Sequence, residues 1–266
     1  MSADVTVVIL TLNEEKTLPR CLNAIPASYK RLVVDSGSTD NTIAVARDLG
    51  CEVVRNDWGG YVEQRNFALN GCGVTSKWAL FVDADEVFLP EFFEWLESDS
   101  LTSAKFDVGY VSSLIVFDGV VLKHAPGYPI YHHRLFRVGA AEFIHNHAGY
   151  GETVDASAKV EKIDIPYLHY WYEGNAMELI NNHVRYASME KSITRPKAEK
   201  LSIRSCLSVI VGNSPLRAFL RFIYHYVVRC GFLDGRAGLR YSIFYSWYEF
   251  TKLTMNLLIS TRAAAA

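Results

Sequence analysis

Hydrophobic runs alternate with helical patterns along the first 105 residues. Four short apolar runs, rich in β-branched residues, predict strands at residues 5–10, 31–35, 51–54 and 78–82. Three segments between them have the start and stop signals of helices, at residues 15–25, 41–49 and 61–70. Buried strands separated by helices predict an α/β fold with a mostly parallel sheet flanked by helices.

The pattern changes after residue 105, first to strands and then to helices. Further runs predict strands added to the sheet edge, at residues 108–117, 120–123, 133–138 and 159–165, and Asp118-Gly119 is a hairpin signal. The remainder predicts helices, at residues 175–191, 200–211, 215–230 and 237–259. We therefore predict an α/β half over 1–105, strands and loops of the same domain over 106–172, and a helical C-terminal subdomain over 173–262.

The charge is unevenly distributed. Residues 191–266 hold 12 Lys/Arg and 3 Asp/Glu, whereas residues 1–190 hold 15 and 26. In the predicted helix 215–230, Arg217, Arg221 and Arg229 lie on one stripe, because residues four apart share a helix face. A basic, aromatic tail suits an anionic membrane surface, but it equally suits docking on the acidic half of the chain. No apolar stretch reaches the roughly 20 residues that a membrane span needs.

The cysteines and the N-terminal residues bear on location. Five cysteines are scattered without metal-type or disulfide-type spacing, which favours reduced thiols in a cytosolic protein. The start of the chain lacks the basic and apolar regions of a signal peptide, so we expect none. Together with the basic tail, this predicts a cytoplasmic protein that is peripheral on the inner face of the cytoplasmic membrane.

Acidic residues follow three of the predicted strands. Asp83 and Asp85 come directly after the run 78–82, and carboxylates two residues apart in extended chain point the same way. Such a pair favours a divalent cation such as Mg²⁺ or Mn²⁺, which prefers hard oxygen ligands, although a solvated turn would look similar. Acidic loops also follow the first and second strands, at residues 11–14 and 35–38. If the first strand is central, all three loops line one crevice at the carboxyl ends of the strands.

Four motifs follow one another over residues 7–86: VVILTLNEE at 7–15, VVDSGSTDNT at 33–42, QRN at 64–66 and FVDADE at 81–86. In this order they resemble the signature of the family-2 inverting glycosyltransferases with the GT-A fold. In addition, YLHY at 167–170 and GFLDG at 231–235 are similar to the subgroup of bacterial lipopolysaccharide-core β-glucosyltransferases.

This resemblance implies roles for the residues in the motifs. It implies nucleotide contacts by Thr11, Asn13, Glu14, Asp35, Arg65 and Asp83. It also implies that Asp85, with Asp83, binds the metal ion that bridges the diphosphate of a UDP-sugar. Residues 1–105 would then bind the nucleotide-sugar, and residues 106–172 would face the acceptor.

Inverting transfer also needs a general base that takes the proton of the acceptor hydroxyl. The resemblance places it well after the metal motif, often beside a histidine. Glu152 is the first candidate here and Glu142 the second. His145 and His147 lie in the same region, where they would bind phosphate or metal or be structural.

The predicted function is transfer of a hexose, such as glucose, from a UDP-sugar to a lipopolysaccharide-core or lipid-linked saccharide. One alternative is a sugar-1-phosphate nucleotidyltransferase, which shares the architecture but wants a basic, Gly-rich loop where this chain has the acidic loop 12–15. Another is a catalytically inactive, membrane-associated saccharide-binding protein. A hydride-transfer enzyme would need a G-x-G-x-x-G motif after a strand, and the sequence has none. We expect no nucleic-acid partner.

Overall fold

The central sheet begins with four parallel strands in the order β3-β2-β1-β4. The computed structural model describes residues 3–72, 74–145, 152–189 and 214–263. The four strands are β1 Val5–Thr11, β2 Lys30–Asp35, β3 Glu52–Arg55 and β4 Trp78–Asp83. The chain moves outward from β1 to β3 and then places β4 on the other side of β1. The strand order therefore reverses beside β1, which confirms that the first strand is interior.

Helices cover both faces of these strands. They are α1 Leu18–Ala24, α2 Thr42–Asp48, α3 Tyr61–Asn70, α4 Pro90–Glu97 and the short α5 Asp99–Thr102. Val7 and Ile9 of β1 belong to one apolar cluster with α1 and α4, whereas Val8 belongs to a second cluster with α3. This alternation confirms the predicted α/β fold with its sheet flanked by helices.

Antiparallel strands extend the sheet beyond β4, in the order β4-β8-β6-β11-β5. They are β5 Glu86–Val87, β6 Val108–Phe117, β8 Ile130–Arg137 and β11 Val160–Tyr172, and β7 Val120–Val121 pairs with the end of β6. The turn between β6 and β7 has positive φ at Asp118 (53°) and Gly119 (75°), which confirms the predicted hairpin. Strands β9 Phe143–His145 and β10 Glu152–Val154 form a separate antiparallel pair.

The chain divides into two compact units. The first comprises Met1–Ile115, Pro129–Asn146 and Gly151–Trp171, and the second comprises Val116–Tyr128, His147–Tyr150 and Tyr172–Ala266. Helices make up most of the described part of the second unit: α6 Ala176–Met189, α7 Leu216–Ile223, a π-helical turn Tyr224–Val228, a 3₁₀ turn Gly231–Asp234 and α8 Gly235–Ala263. The predicted helix 200–211 lies outside the described residues. Within the described ranges, no helix combines the length and apolarity needed to cross a membrane.

Candidate active site

The loops that follow β1 and β2 are joined by hydrogen bonds. The side-chain oxygen of Asn13 accepts from the backbone N–H of Thr39 (2.8 Å), and the hydroxyl of Ser38 accepts from the N–H of Asn13 (2.8 Å). The hydroxyl of Thr42 accepts from the N–H of Glu14 (2.7 Å). Asn13 has a positive φ of 61°, a conformation that asparagine tolerates better than most residues. Two of the three predicted loops are therefore held together by hydrogen bonds.

Asp35 lies fully buried at the end of β2 and binds residues of both loops. One of its carboxylate oxygens accepts from the N–H groups of Gly37 and Ser38 (both 2.9 Å). The other accepts from the hydroxyls of Thr11 (3.0 Å) and Ser38 (2.5 Å). Because both oxygens are engaged, the predicted hydrogen bond from a nucleotide base to Asp35 requires one of these donors, such as the Ser38 hydroxyl, to turn away.

The third loop lies at the same edge of the sheet. Strand β1 places Thr11 opposite Asp35 on one side and Leu10 opposite Asp83 on the other. Asp35 and Asp83 are thus two strands apart, a backbone spacing of about 10 Å. The acidic loops after β1, β2 and β4 therefore gather at the point where the strand order reverses, as the sequence predicts.

Two arginines hold the carboxylate of Asp83. Arg65 Nη2 donates to its Oδ1 (2.9 Å), and Arg134 Nη2 donates to its Oδ2 (2.7 Å) and to Oε1 of the buried Glu86 (2.6 Å). Glu86 Oε2 accepts from the N–H of Asp83 (3.0 Å). Burial alone would raise the pKa of Asp83, but Arg134 and Arg65 outweigh it and hold the pKa well below its usual value. Asp83 is therefore ionised and already paired with cations.

Arg65 is itself buried, with its guanidinium near the rings of Phe81 and Phe143. Its ion pair with Asp83 positions the loop, while the predicted contact with a nucleotide remains a prediction. Sequence reasoning did not identify Arg134, which comes from β8 and joins the site through the pairing of β4 with β8.

Asp85 faces a histidine instead of an arginine. Its Oδ2 lies 3.2 Å from Nε2 of His169, and its backbone oxygen accepts from the N–H of Tyr170 (2.9 Å). His169 reaches this position because β11 pairs with β5 and places His169 opposite Glu86. Burial would lower the pKa of His169, but Asp85 outweighs it and raises the pKa to about 9. The Asp85 side chain is 38% exposed, so the pair is open to a ligand.

In the described structure Asp85 and His169 are joined by a hydrogen bond, and His169 would have to give up its proton before it could bind a divalent cation. Adjacent ligands of octahedral Mg²⁺, each about 2.1 Å from the ion, lie about 3 Å apart, close to the 3.2 Å separation of these two atoms. In the described part of the chain, no cluster of three or more His, Cys, Asp or Glu residues is arranged to hold a metal. Two protein ligands are nevertheless enough where substrate phosphates and water complete the shell. Arginines occupy the oxygens of Asp83, so Asp85 is the more accessible of the two predicted carboxylate ligands.

The two candidate bases lie around β9 and β10. Glu142 precedes β9, and its Oε1 accepts from Asn70 Nδ2 (2.9 Å) at the surface. Glu152 begins β10 opposite His145, but its side chain is outside the described set. The ring of His145 lies 2.9 Å from Glu63 Oε1, and His147 lies outside the described residues.

The arginines predicted to meet a membrane or acceptor have protein partners in the second unit. Arg217 and Arg221 form ion pairs with the two carboxylate oxygens of the buried Glu249 in α8 (3.0 and 2.7 Å). Arg229 donates to the backbone oxygen of Tyr128 (3.3 Å). These contacts give all three arginines a role within the unit.

An α/β sheet with acidic loops gathered outside the carboxyl ends of its parallel strands defines the class of proteins that bind ligands at a strand-order switch point. Residues 6–98 match the family described as glycosyl transferase family 2. This match spans all four sequence motifs and the three acidic loops. Over these residues the chain is therefore similar to the family-2 glycosyltransferases, in agreement with the resemblance of the four motifs.

Two relatives that are named as glycosyltransferases match different shares of the chain. An uncharacterized glycosyltransferase of Rickettsia prowazekii (strain Madrid E) is 27% identical over 94% of this chain and 85% of its own length. One from Mycobacterium tuberculosis (strain ATCC 25618 / H37Rv) is 54% identical over 21% of this chain and 26% of its own length. Among solved structures, glucosyl-3-phosphoglycerate synthase from Mycobacterium tuberculosis in complex with Mn²⁺ and UDP is 26% identical over 43% of this chain and 44% of its own, with a TM-score of 0.36. That overall structural similarity is low.

Proposed function

We propose that the chain transfers a hexose, such as glucose, from a UDP-sugar to a saccharide acceptor with inversion at the anomeric carbon. The observation that supports this most directly is the meeting of three acidic loops at one edge of the sheet, beside the Asp85–His169 pair. A nucleoside diphosphate needs a cation for its charge, and this pair offers a place for one. The family-2 match over residues 6–98 supports the class of reaction.

Each acidic residue has a distinct task in this proposal. Asp85, with His169 once that residue has lost its proton, would hold Mg²⁺ or Mn²⁺, and the ion would supply positive charge to the leaving diphosphate. Asp83 stays ionised between Arg65 and Arg134, where its exposed side faces the ribose. The joined loops after β1 and β2 supply Thr11, Asn13, Glu14 and Asp35 to the nucleotide.

The transfer step breaks the bond from the sugar C1 to the UDP oxygen and forms a bond from C1 to the acceptor oxygen. The electron pair of the broken bond leaves with UDP, and the acceptor hydroxyl loses its proton to a carboxylate on the other face of the sugar. We assign this base to Glu152, with Glu142 as the second candidate.

The acceptor in this proposal is a lipopolysaccharide-core or lipid-linked saccharide. Its support is the similarity of residues 167–170 and 231–235 to lipopolysaccharide-core enzymes. The basic excess of residues 191–266 also suits an anionic acceptor or membrane surface.

A panel of nucleotide sugars incubated with the full chain and Mn²⁺ tests the donor and the reaction class. We expect release of UDP from a UDP-hexose, loss of that release on Asp85→Asn, and no change on Asp48→Asn, which alters an exposed carboxylate at the end of α2. The product formed with a saccharide acceptor should have the anomeric configuration opposite to that of the donor. Release of UDP that persists in Asp85→Asn, or turnover of no nucleotide sugar, would overturn the proposal.

A further inference from the structure

The described part of the second unit presents large apolar side chains to solvent along one continuous segment. We call this set the apolar face: Leu216, Phe219, Leu220, Tyr224, Val227, Val228, Phe232 and Leu233. Every member is more than a third exposed, and Val228, Leu233 and Phe219 reach 65%, 62% and 60%. Soluble proteins rarely expose so many large apolar residues together unless the surface meets another phase or molecule.

The orientation of α7 explains why this face is exposed. Leu216, Phe219 and Leu220 follow the spacing of residues that share one side of a helix. The opposite side carries Ala218 and, in the π-helical turn, His225, which are both buried. Arg217 and Arg221 flank that buried side and reach Glu249. The helix therefore has its charges packed inward and its apolar side outward, the reverse of an ordinary surface helix.

We propose that the apolar face is the surface by which the protein binds the interface of an anionic lipid bilayer. Phe219, Tyr224 and Phe232 have aromatic side chains, which favour the interfacial region of a membrane. The aliphatic members add apolar area. This inference goes beyond glycosyl transfer and stands whether or not the proposed reaction is correct. It also assigns the contact to the opposite side of α7 from the basic stripe.

The charge around the apolar face favours an anionic surface. The exposed Arg236 lies three residues after Leu233, and residues 191–266 hold 12 Lys/Arg against 3 Asp/Glu. Two of these three acids are engaged within the unit. Glu249 binds arginines, and Asp234 accepts from the backbone N–H groups of residues 123–125.

A second copy of the chain is a poorer occupant. A symmetric dimer would place the same surface on both partners, so Arg236 of one copy would approach the cations of the other. A bilayer that contains anionic lipid attracts those cations instead.

Co-sedimentation of the full chain with vesicles tests the proposal. The vesicles contain phosphatidylcholine and phosphatidylglycerol in equal parts, with phosphatidylcholine alone for comparison. We expect the double variant Phe219→Glu, Val228→Glu to bind the anionic vesicles about tenfold or more weakly than the natural chain, because it places two charges in the apolar layer. The matched control is Met177→Glu, which alters a 65% exposed residue of α6 away from the apolar face, and it should bind as the natural chain does.

Circular dichroism and thermal unfolding should show that both variants are folded, since all three positions are exposed. If the double variant is unfolded, Phe219→Ser replaces it and should still weaken binding several-fold relative to Met177→Ser. Three results would overturn the proposal. The natural chain could stay in the supernatant with anionic vesicles, or the variants of the apolar face and of Met177 could lose vesicle binding equally. The third is a dimer in solution that the double substitution dissociates, with no binding of the natural chain to vesicles.

Discussion

At the residue scale, the role of each acidic residue depends on the cationic side chain that it contacts. Asp83 and Asp85 are separated by one residue, yet Asp83 faces Arg65 and Arg134 whereas Asp85 faces His169. Strand β4 ends at Asp83 and the chain turns over residues 84–85. The rule that alternate residues of a strand point the same way therefore stops applying at that residue. The sequence therefore located the two carboxylates, but it did not reveal that they have different partners.

The partners of these carboxylates could not be found from the motifs. Arg134 and His169 lie on β8 and β11, and they reach the site only through the register of antiparallel strands added later in the chain. Local patterns predict that such strands exist, but they do not specify which residues stand opposite each other. The tetrapeptide YLHY at 167–170 contains His169, but its resemblance indicates a family and assigns no role to this histidine.

Replacing Arg134 by methionine tests the network at this scale. Arg134→Met leaves the buried Glu86 without its cation, so the free energy of unfolding should fall by about 3–5 kcal/mol. Arg55→Met, which removes an exposed pair with Asp57, should cost about 1 kcal/mol or less. Chemical denaturation measures both values, and similar losses in the two variants would show that the network contributes no more than a surface pair.

At the element scale, periodicity predicted where helices and strands lie better than which way they face. The hairpin at Asp118-Gly119 and the helix α3 Tyr61–Asn70 match their predictions, because turn chemistry and capping act locally. By contrast, helix α4 Pro90–Glu97 was not predicted, although Pro90 at its first turn and the buried Phe92 and Phe93 are recognisable signals. The basic stripe of α7 was predicted to meet a membrane or acceptor surface, and its ion pairs with Glu249 could not be predicted, because a stripe on a helix does not reveal its partner.

Glu249 tests how the arginines of α7 are held. Its pKa is lowered, because Lys252, Arg221 and Arg217 outweigh the effect of burial. A lowered pKa in the folded state stabilises the protein above the unfolded pKa near 4.5, and this contribution is lost as pH falls through the folded value. Glu249→Gln should therefore lower the free energy of unfolding by about 2–4 kcal/mol at neutral pH and reduce its dependence on acid.

Urea unfolding at neutral and acidic pH measures the free energy of unfolding of the natural chain and of Glu249→Gln. The control is Glu161→Gln, at an exposed position of β11. If Glu249→Gln and Glu161→Gln shift the midpoint equally at both pH values, the arginines do not depend on Glu249.

At the scale of the whole molecule, the candidate active site and the apolar face belong to different units. The first unit contains the acidic loops and the Asp85–His169 pair, and the second contains the apolar face. The fold and position of the site in the first unit were predictable, since alternating strands and helices fix a parallel sheet and the ends of its strands fix the site. Donor, acceptor and base depend on side chains that the motifs do not cover.

Calorimetric titration of UDP tests most directly whether the acidic loops hold a cation-bound diphosphate. With Mn²⁺ present, the natural chain should bind UDP about tenfold or more tightly than with a chelator, because the ion screens the repulsion between diphosphate and carboxylates. Asp85→Asn should weaken UDP binding to a similar extent, and the chelator should then have little further effect, since both changes remove the same interaction. UDP affinity that is the same with Mn²⁺ and with chelator, and unchanged by Asp85→Asn, would contradict the account.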